Sequence, residues 1–210
     1  CSSDLVRNGA TLWRCAPTLQ AREQACADVQ AQTGATVVHP YADSRVIAGQ
    51  ATATLELLQQ MGEQPEILVV PVGGGGLAAG AALALAGLAP DCELVLAEPA
   101  GADDTARLLQ GRPLPEPFLP QTVCDGLRGT LGALNLEILQ ERARVVRVDD
   151  AATVAAMRLI WQVLKQVVEP SSAISLAAVL AEPDRIAGKR VGLLLSGGNV
   201  DLDALPWSGA

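Results

Sequence analysis

The run Leu68-Val69-Val70-Pro71-Val72-Gly73-Gly74-Gly75-Gly76-Leu77-Ala78-Ala79-Gly80 carries more chemistry than any other stretch of the sequence. Its apolar first half has the composition of a strand buried on both faces, and it runs into four consecutive glycines and then a helix-forming segment. Glycines at a strand-to-helix junction let successive backbone N–H groups turn toward one point at the positive end of a helix, with no Cβ in the way. That is the chemistry of a phosphate cradle. No Gly-Lys-Ser/Thr follows, which disfavours a P-loop. The glycine spacing also departs from the dinucleotide fingerprint, so a nucleotide-dependent oxidoreductase is disfavoured.

Three other places hold groups able to act on a ligand. Ser196-Gly197-Gly198 follows the last apolar run, where side chains emerge at the carboxyl edge of a parallel sheet. Glu169-Pro170-Ser171 reads as a helix start, with the carboxylate near the positive end of the helix dipole. Glu98 stands at a predicted strand end, and Asp103 and Asp104 follow it closely. They are either a strand-end charge and a helix start, or oxygen ligands for a hard cation. The single histidine, His39, precedes Pro40, and no Ser-His-Asp triad is assembled around it.

These groups must be positioned by an alternation of apolar runs and helical periodicities, the pattern of a parallel sheet flanked by helices. The spacing predicts strands at 10–15, 35–38, 66–72, 93–97, 144–148 and 190–195. Helices are predicted at 18–32 with Thr18 as N-cap, and at 44–61, 77–88, 103–110 and 134–142. Two more run from the Asp149-Asp150 pair to 167 and onward from Pro170. Four prolines between 111 and 120 predict an extended connection. Half of the 210 residues are apolar but only 2% aromatic, so the core is built from Ala, Val, Leu and Ile, as α/β layers allow.

A net charge of −8 without a basic cluster excludes a nucleic-acid backbone as partner. The uncharged stretch 73–90 is Gly- and Ala-rich and reads as a buried helix rather than a membrane span. Five cysteines, irregularly spaced and without a zinc pattern, predict free thiols in a reducing, cytoplasmic setting. The sequence opens at Cys1 within a polar segment, and a fragment is expected.

Taken together, His39-Pro40 with Val46-Ile47-Ala48-Gly49-Gln50, the tetraglycine run, Ala97-Glu98-Pro99, Val168-Glu169-Pro170-Ser171 and Leu195-Ser196-Gly197-Gly198-Asn199-Val200-Asp201 resemble the serine racemase and serine/threonine dehydratase family, in its order and spacing. The resemblance covers essentially the whole chain. It implies the α/β architecture of fold type II pyridoxal-phosphate (PLP) enzymes, akin to the tryptophan synthase β chain, with 1–43 a remnant of a smaller α/β domain and 44–210 an incomplete large PLP-binding domain. It implies that Gly73, Gly74, Gly75 and Gly76 grip the cofactor phosphate, that Ser196 faces the pyridine nitrogen, and that Glu169 lies near the ring. Asp125-Gly126 matches the family's Ala-Asp-Gly turn, with Cys124 in place of alanine, and brings Gly126 to the cofactor. Glu98, the carbonyl of Ala102 and Asp104 match the Mg²⁺ or Ca²⁺ site of the serine racemase branch.

The implied reaction is elimination of water from, or racemisation of, a small hydroxy amino acid such as serine, threonine or 3-hydroxyaspartate, by a homodimer when intact. The family's Schiff-base lysine has no match here, since Lys165 and Lys189 occupy other contexts; the chain by itself is expected to be inactive, with no catalytic residue of its own. The competing expectation is a non-catalytic paralogue or partner subunit that binds a phosphate ligand.

Overall fold

The computed structural model describes residues 2–16 and 18–207, which divide into two compact units, Cys1–His39 and Pro40–Ala210. The first unit contains helices α1 (Ser2–Arg7) and α2 (Leu19–Thr33). As predicted, the Thr18 hydroxyl caps α2 by accepting the Ala21 N–H at 3.2 Å, and Gly34 ends it at φ 68°. Among its described side chains the helix half-buries only the stripe Ala21, Ala25 and Val29. The strands expected at 10–15 and 35–38 are not formed. A strand exists only through the neighbour that pairs with it, and neither segment joins a ladder among the described residues. Trp13, Val37 and Val38 of these segments remain exposed.

The second unit is a three-layer α/β structure. Its elements are α3 (Ser44–Met61), β1 (Ile67–Pro71), α4 (Gly76–Leu88), β2 (Glu93–Pro99), α5 (Asp104–Leu109), α6 (Ala133–Leu139), β3 (Ala143–Val148), α7 (Asp150–Leu164), α8 (Pro170–Leu180), α9 (Pro183–Ile186) and β4 (Val191–Leu193). All strands are parallel, in the order β3-β2-β1-β4. The two central strands are buried along almost their whole length, so their sequences read as continuous apolar runs. Alternate side chains serve opposite layers. Ile67, Val69, Val95 and Ala97 pack with Ala156 of α7 and with Ile174, Ala177 and Ala178 of α8. Leu68, Val70, Leu94 and Leu96 pack with Ala78, Ala81, Ala82 and Leu85 of α4 on the other face.

Local signals set most of the boundaries. Asp43 and Asp149 cap α3 and α7 by accepting the N–H groups of Arg45 and Ala152, at 2.8 and 2.7 Å. Pro170 opens α8 at a position where its missing N–H costs nothing. Several ends fall short of expectation, among them that of α6, which closes at Leu139 rather than at 142. Helix α7 stops at Leu164 because Lys165 adopts the left-handed conformation (φ 58°), and β4 ends at Leu193 rather than at 195. After β4, Leu194 still donates to the Val69 carbonyl at 3.0 Å before the chain leaves the sheet.

The strand order carries the functional consequence. The chain winds outward from β1 through β2 to β3, then returns to place β4 on the other side of β1. The direction of winding therefore reverses between β1 and β4, and the loops following these two strands flank the crevice where open α/β sheets bind ligands. No helix among the described residues is long and apolar enough to cross a membrane. Ile174, fully buried where α8 meets the sheet, is central to this arrangement. Ile174→Ala should lower unfolding stability by about 2–5 kcal/mol, read as a lower midpoint in urea.

Candidate active site

At the end of β1 the Val72 N–H donates to the Ala97 carbonyl at 3.0 Å, and this is the last sheet-side bond the segment makes. The N–H groups of Gly73, Gly74, Gly75 and Gly76 have no hydrogen-bond acceptor among the described residues. Four backbone donors in succession at the N-terminus of a 13-residue helix are a strong demand for an anion. Space and conformation explain why they are glycines. Gly75 sits at φ 91°, and a Cβ on it would lie 2.9 Å from the Asn135 Cβ and run into Leu131. At Gly73 a Cβ would lie 2.9 Å from the Leu127 Cα, and at Gly74 it would enter the Tyr41 ring.

The walls of this loop come from distant parts of the sequence. Tyr41 covers Gly74, and the turn Asp125–Leu127 lies against Gly73. The turn is held by Asp150, whose carboxylate accepts the Thr122 hydroxyl at 2.6 Å and the Val123 N–H at 3.0 Å. The Gly126 N–H is already used, donating to Ser171 Oγ at 3.0 Å. Gly126 thus borders the cradle through its carbonyl side and does not offer its amide to a ligand. Cys124, where the family pattern has alanine, is completely buried, and burial pushes its thiol up to about 12. It is a packing residue with no accessible thiolate.

Across the crevice, the segment after β4 is fastened to the start of α8. The Glu169 N–H donates to the Gly197 carbonyl at 3.1 Å, and Glu169 Oε2 accepts the Asn199 N–H at 3.0 Å. The carboxylate lies so close to Gly197 that a Cβ there would meet Oε1 at 2.6 Å. Between these fastenings Ser196 is exposed, and its hydroxyl bonds to no described residue. Glu169 therefore shapes the loop that presents Ser196.

Glu98, Ala102 and Asp104 are all buried, at the end of β2 and in the turn that leads from it into α5. Glu98 and Asp104 are 0% and 1% exposed. Glu98 accepts the N–H groups of Thr105 and Ala106 at 2.6 and 3.0 Å, and Asp104 accepts that of Leu131 at 2.7 Å. Neither carboxylate forms an ion pair among the described residues. Burial, reinforced for Glu98 by Asp104 and for Asp104 by Asp103, pushes them up to about 7 and about 6. Ala102 is buried and its carbonyl accepts no hydrogen bond from a described residue. Asp103 is turned away, paired with Arg107 at 2.7 Å and Arg147 at 3.5 Å. Glu98 and Asp104 are thus neighbouring buried carboxylates without a positive partner among the described residues, and no group of three or more acidic, histidine or cysteine side chains that could hold a metal is found among those residues.

Lys165 is exposed and donates to the Gln162 carbonyl at 2.6 Å, and Lys189 is exposed in the α9–β4 connection. Neither belongs to the loops that flank the crevice. Sequence reading missed Tyr41, Leu127 and Asn135, which lie against the glycines without forming a motif of their own, whereas Ser171 stood in the Glu169-Pro170-Ser171 motif without its bond to Gly126 being foreseen. For Glu169, burial first and Asp125 second raise the carboxyl pKa, while the Asn199 N–H opposes them. A carboxyl raised in the folded state favours folding at low pH, and that contribution is lost as pH rises from the usual carboxylate value through the raised one. Glu169→Gln should therefore flatten the stability–pH curve on its alkaline side, measured by thermal melting from pH 4 to 8.

The family described as "Pyridoxal-phosphate dependent enzyme" matches residues 4–197. A beta-hydroxyaspartate dehydratase of Paracoccus denitrificans is 44% identical over 98% of this chain and 65% of its own length. A serine racemase of Dictyostelium discoideum is 41% identical over 94% and 62%. A solved T.th. threonine deaminase is 42% identical, with a TM-score of 0.89 over 95% of this chain and 67% of that one. The chain thus spans less than two thirds of the length of the two curated relatives. Glycine loop, strand order and sequence agree: the chain belongs to the pyridoxal-phosphate-dependent enzymes of fold type II, among relatives that are lyases and racemases.

Proposed function

We propose that this chain supplies the phosphate cradle and the ring-nitrogen contact of an enzyme that dehydrates or racemises a small hydroxy amino acid. One observation carries the reading: four adjacent glycine N–H groups without an acceptor among the described residues stand at the point where the strand order reverses, across from a serine hydroxyl that bonds to no described residue. The N–H groups of residues 73–76 and the α4 dipole would bind the phosphate of PLP, and Ser196 would accept or share a hydrogen bond with the pyridine nitrogen. The bound cofactor would supply an electron sink for the charge left when Cα–H is removed. A neutral hydroxyl does not hold the ring nitrogen protonated as a carboxylate does. Ser196 thereby favours prompt loss of a β-hydroxyl over chemistry that needs a long-lived carbanion. Glu169 acts indirectly, by holding 196–199 in place.

Serine, threonine and 3-hydroxyaspartate are the candidate substrates, and the relatives' names point the same way. The exposed positions of Lys165 and Lys189 support an inactive chain when isolated, with turnover belonging to a homodimer that includes the family's lysine. The same positions favour a second reading, a partner subunit that binds the phosphate ligand without turning it over. Mg²⁺ or Ca²⁺ would be held by Glu98, the Ala102 carbonyl and Asp104, with water completing the shell.

The 210-residue chain should bind PLP without a covalent bond. Gly75→Ala should weaken that binding at least about tenfold in equilibrium dialysis, because its φ and its neighbours exclude a side chain. Borohydride should leave no pyridoxyl adduct on either lysine, and no keto acid should form from the three candidates. A reducible adduct on Lys165 or Lys189 accompanied by turnover would overturn this reading. Millimolar Mg²⁺ or Ca²⁺ should raise the melting temperature, and Glu98→Gln should abolish the rise; an unchanged rise in that variant places the cation elsewhere.

A further inference from the structure

We propose that Asn135, in the first turn of α6, is the positioning residue that aims the glycine loop at its anion; the proposal rests on the cofactor reading above. Asn135 is completely buried. Its Nδ2 donates to the Gly74 carbonyl at 2.6 Å and to the Tyr41 carbonyl at 3.0 Å, bridging segments that lie 61 and 94 residues away. Both amide protons are therefore committed to backbone oxygens. The orientation is fixed by chemistry, because a flipped amide would set Oδ1 against two carbonyl oxygens. Oδ1 itself is buried without a partner. Leaving an acceptor unsatisfied costs stability, and an apolar side chain of the same shape would avoid the cost.

What the asparagine provides is direction. In a trans peptide the carbonyl and the following N–H point to opposite sides. The Gly74 carbonyl is drawn toward α6 by Asn135 and also accepts the Gly132 N–H at 3.1 Å. The Gly75 N–H must then point away from α6, as one of the four unpaired donors. The second bond, to Tyr41, holds the segment whose ring lies over Gly74. Asn135 thus ties the orientation of the cradle's central peptide, which the Gly132 N–H also holds, to the position of its cover. Gly75 has access to both signs of φ and would otherwise let this peptide rotate.

The experiment compares binding of PLP and of pyridoxal, which lacks the phosphate, to the 210-residue chain and to two variants. Asn135→Leu is close to isosteric and uncharged and removes both donors; Asn135→Ala removes them with less bulk and serves if the leucine variant does not fold. The wild-type chain should prefer PLP over pyridoxal at least about tenfold, with inorganic phosphate competing. The variants should lose at least about tenfold of that preference while pyridoxal affinity stays within about twofold, equivalent to about 1.4 kcal/mol placed on the phosphate alone. A residue that only fills space would lower the melting temperature and leave the preference intact, and that outcome overturns the proposal while the cofactor reading stands. A wild-type chain without any preference for PLP removes the cofactor reading and this proposal with it.

Discussion

Backbone amides need acceptors, and in the segment 73–76 the protein withholds them. In the central strands β1 and β2, by contrast, the backbone is paired to a neighbour on both sides. Here four in a row are left over at the positive end of a helix, and the surroundings are arranged to keep them so. Tyr41, Leu127 and Leu131 crowd the loop from the protein side, and each leaves room only for glycine. A loop bearing ordinary side chains would have to move away from its own walls. The walls in turn depend on bonds made far away in sequence, such as those of Asp150 to Thr122 and Val123 and of Ser171 to Gly126.

The acidic cluster beside β2 follows an opposite logic. Amide donors are plentiful there and positive charge is scarce. Glu98 uses both oxygens on the start of α5, while the arginines nearby, Arg107 and Arg147, pair with Asp103. Backbone dipoles offset part of the cost of burying two carboxylates but do not cancel it, and the raised pKa values of both groups express the remainder.

Period and punctuation made much of this legible in advance. The fully buried strands β1 and β2 read as unbroken apolar runs, and Thr18, Asp149 and Pro170 marked helix starts through chemistry that is local to one turn. The segments 10–15 and 35–38 misled for the complementary reason. Their composition suits strands, but a strand is a pairwise object and composition says nothing about whether a neighbour is present. In the site, the glycines and Ser196 announced themselves as motifs. Asn135 did not, because it acts on backbone oxygens 61 and 94 residues distant and nothing adjacent to it records that geometry. Gly126 lies against the glycine loop, and its amide donates to Ser171, a pairing that sequence order could not reveal.

The pairing of Ile67 with Val191 has a consequence for how the crevice comes into being. Its two walls belong to the first and last strands of the sheet, so closing it requires one of the longest loops the chain can form. The entropic cost of such a closure grows only slowly with loop length, but non-local pairing of this kind is associated with slower folding. The strands β1, β2 and β3 can assemble from neighbouring segments while β4 is still absent. Without β4 the glycine loop has no opposite wall, so the crevice depends on a pairing between segments more than a hundred residues apart.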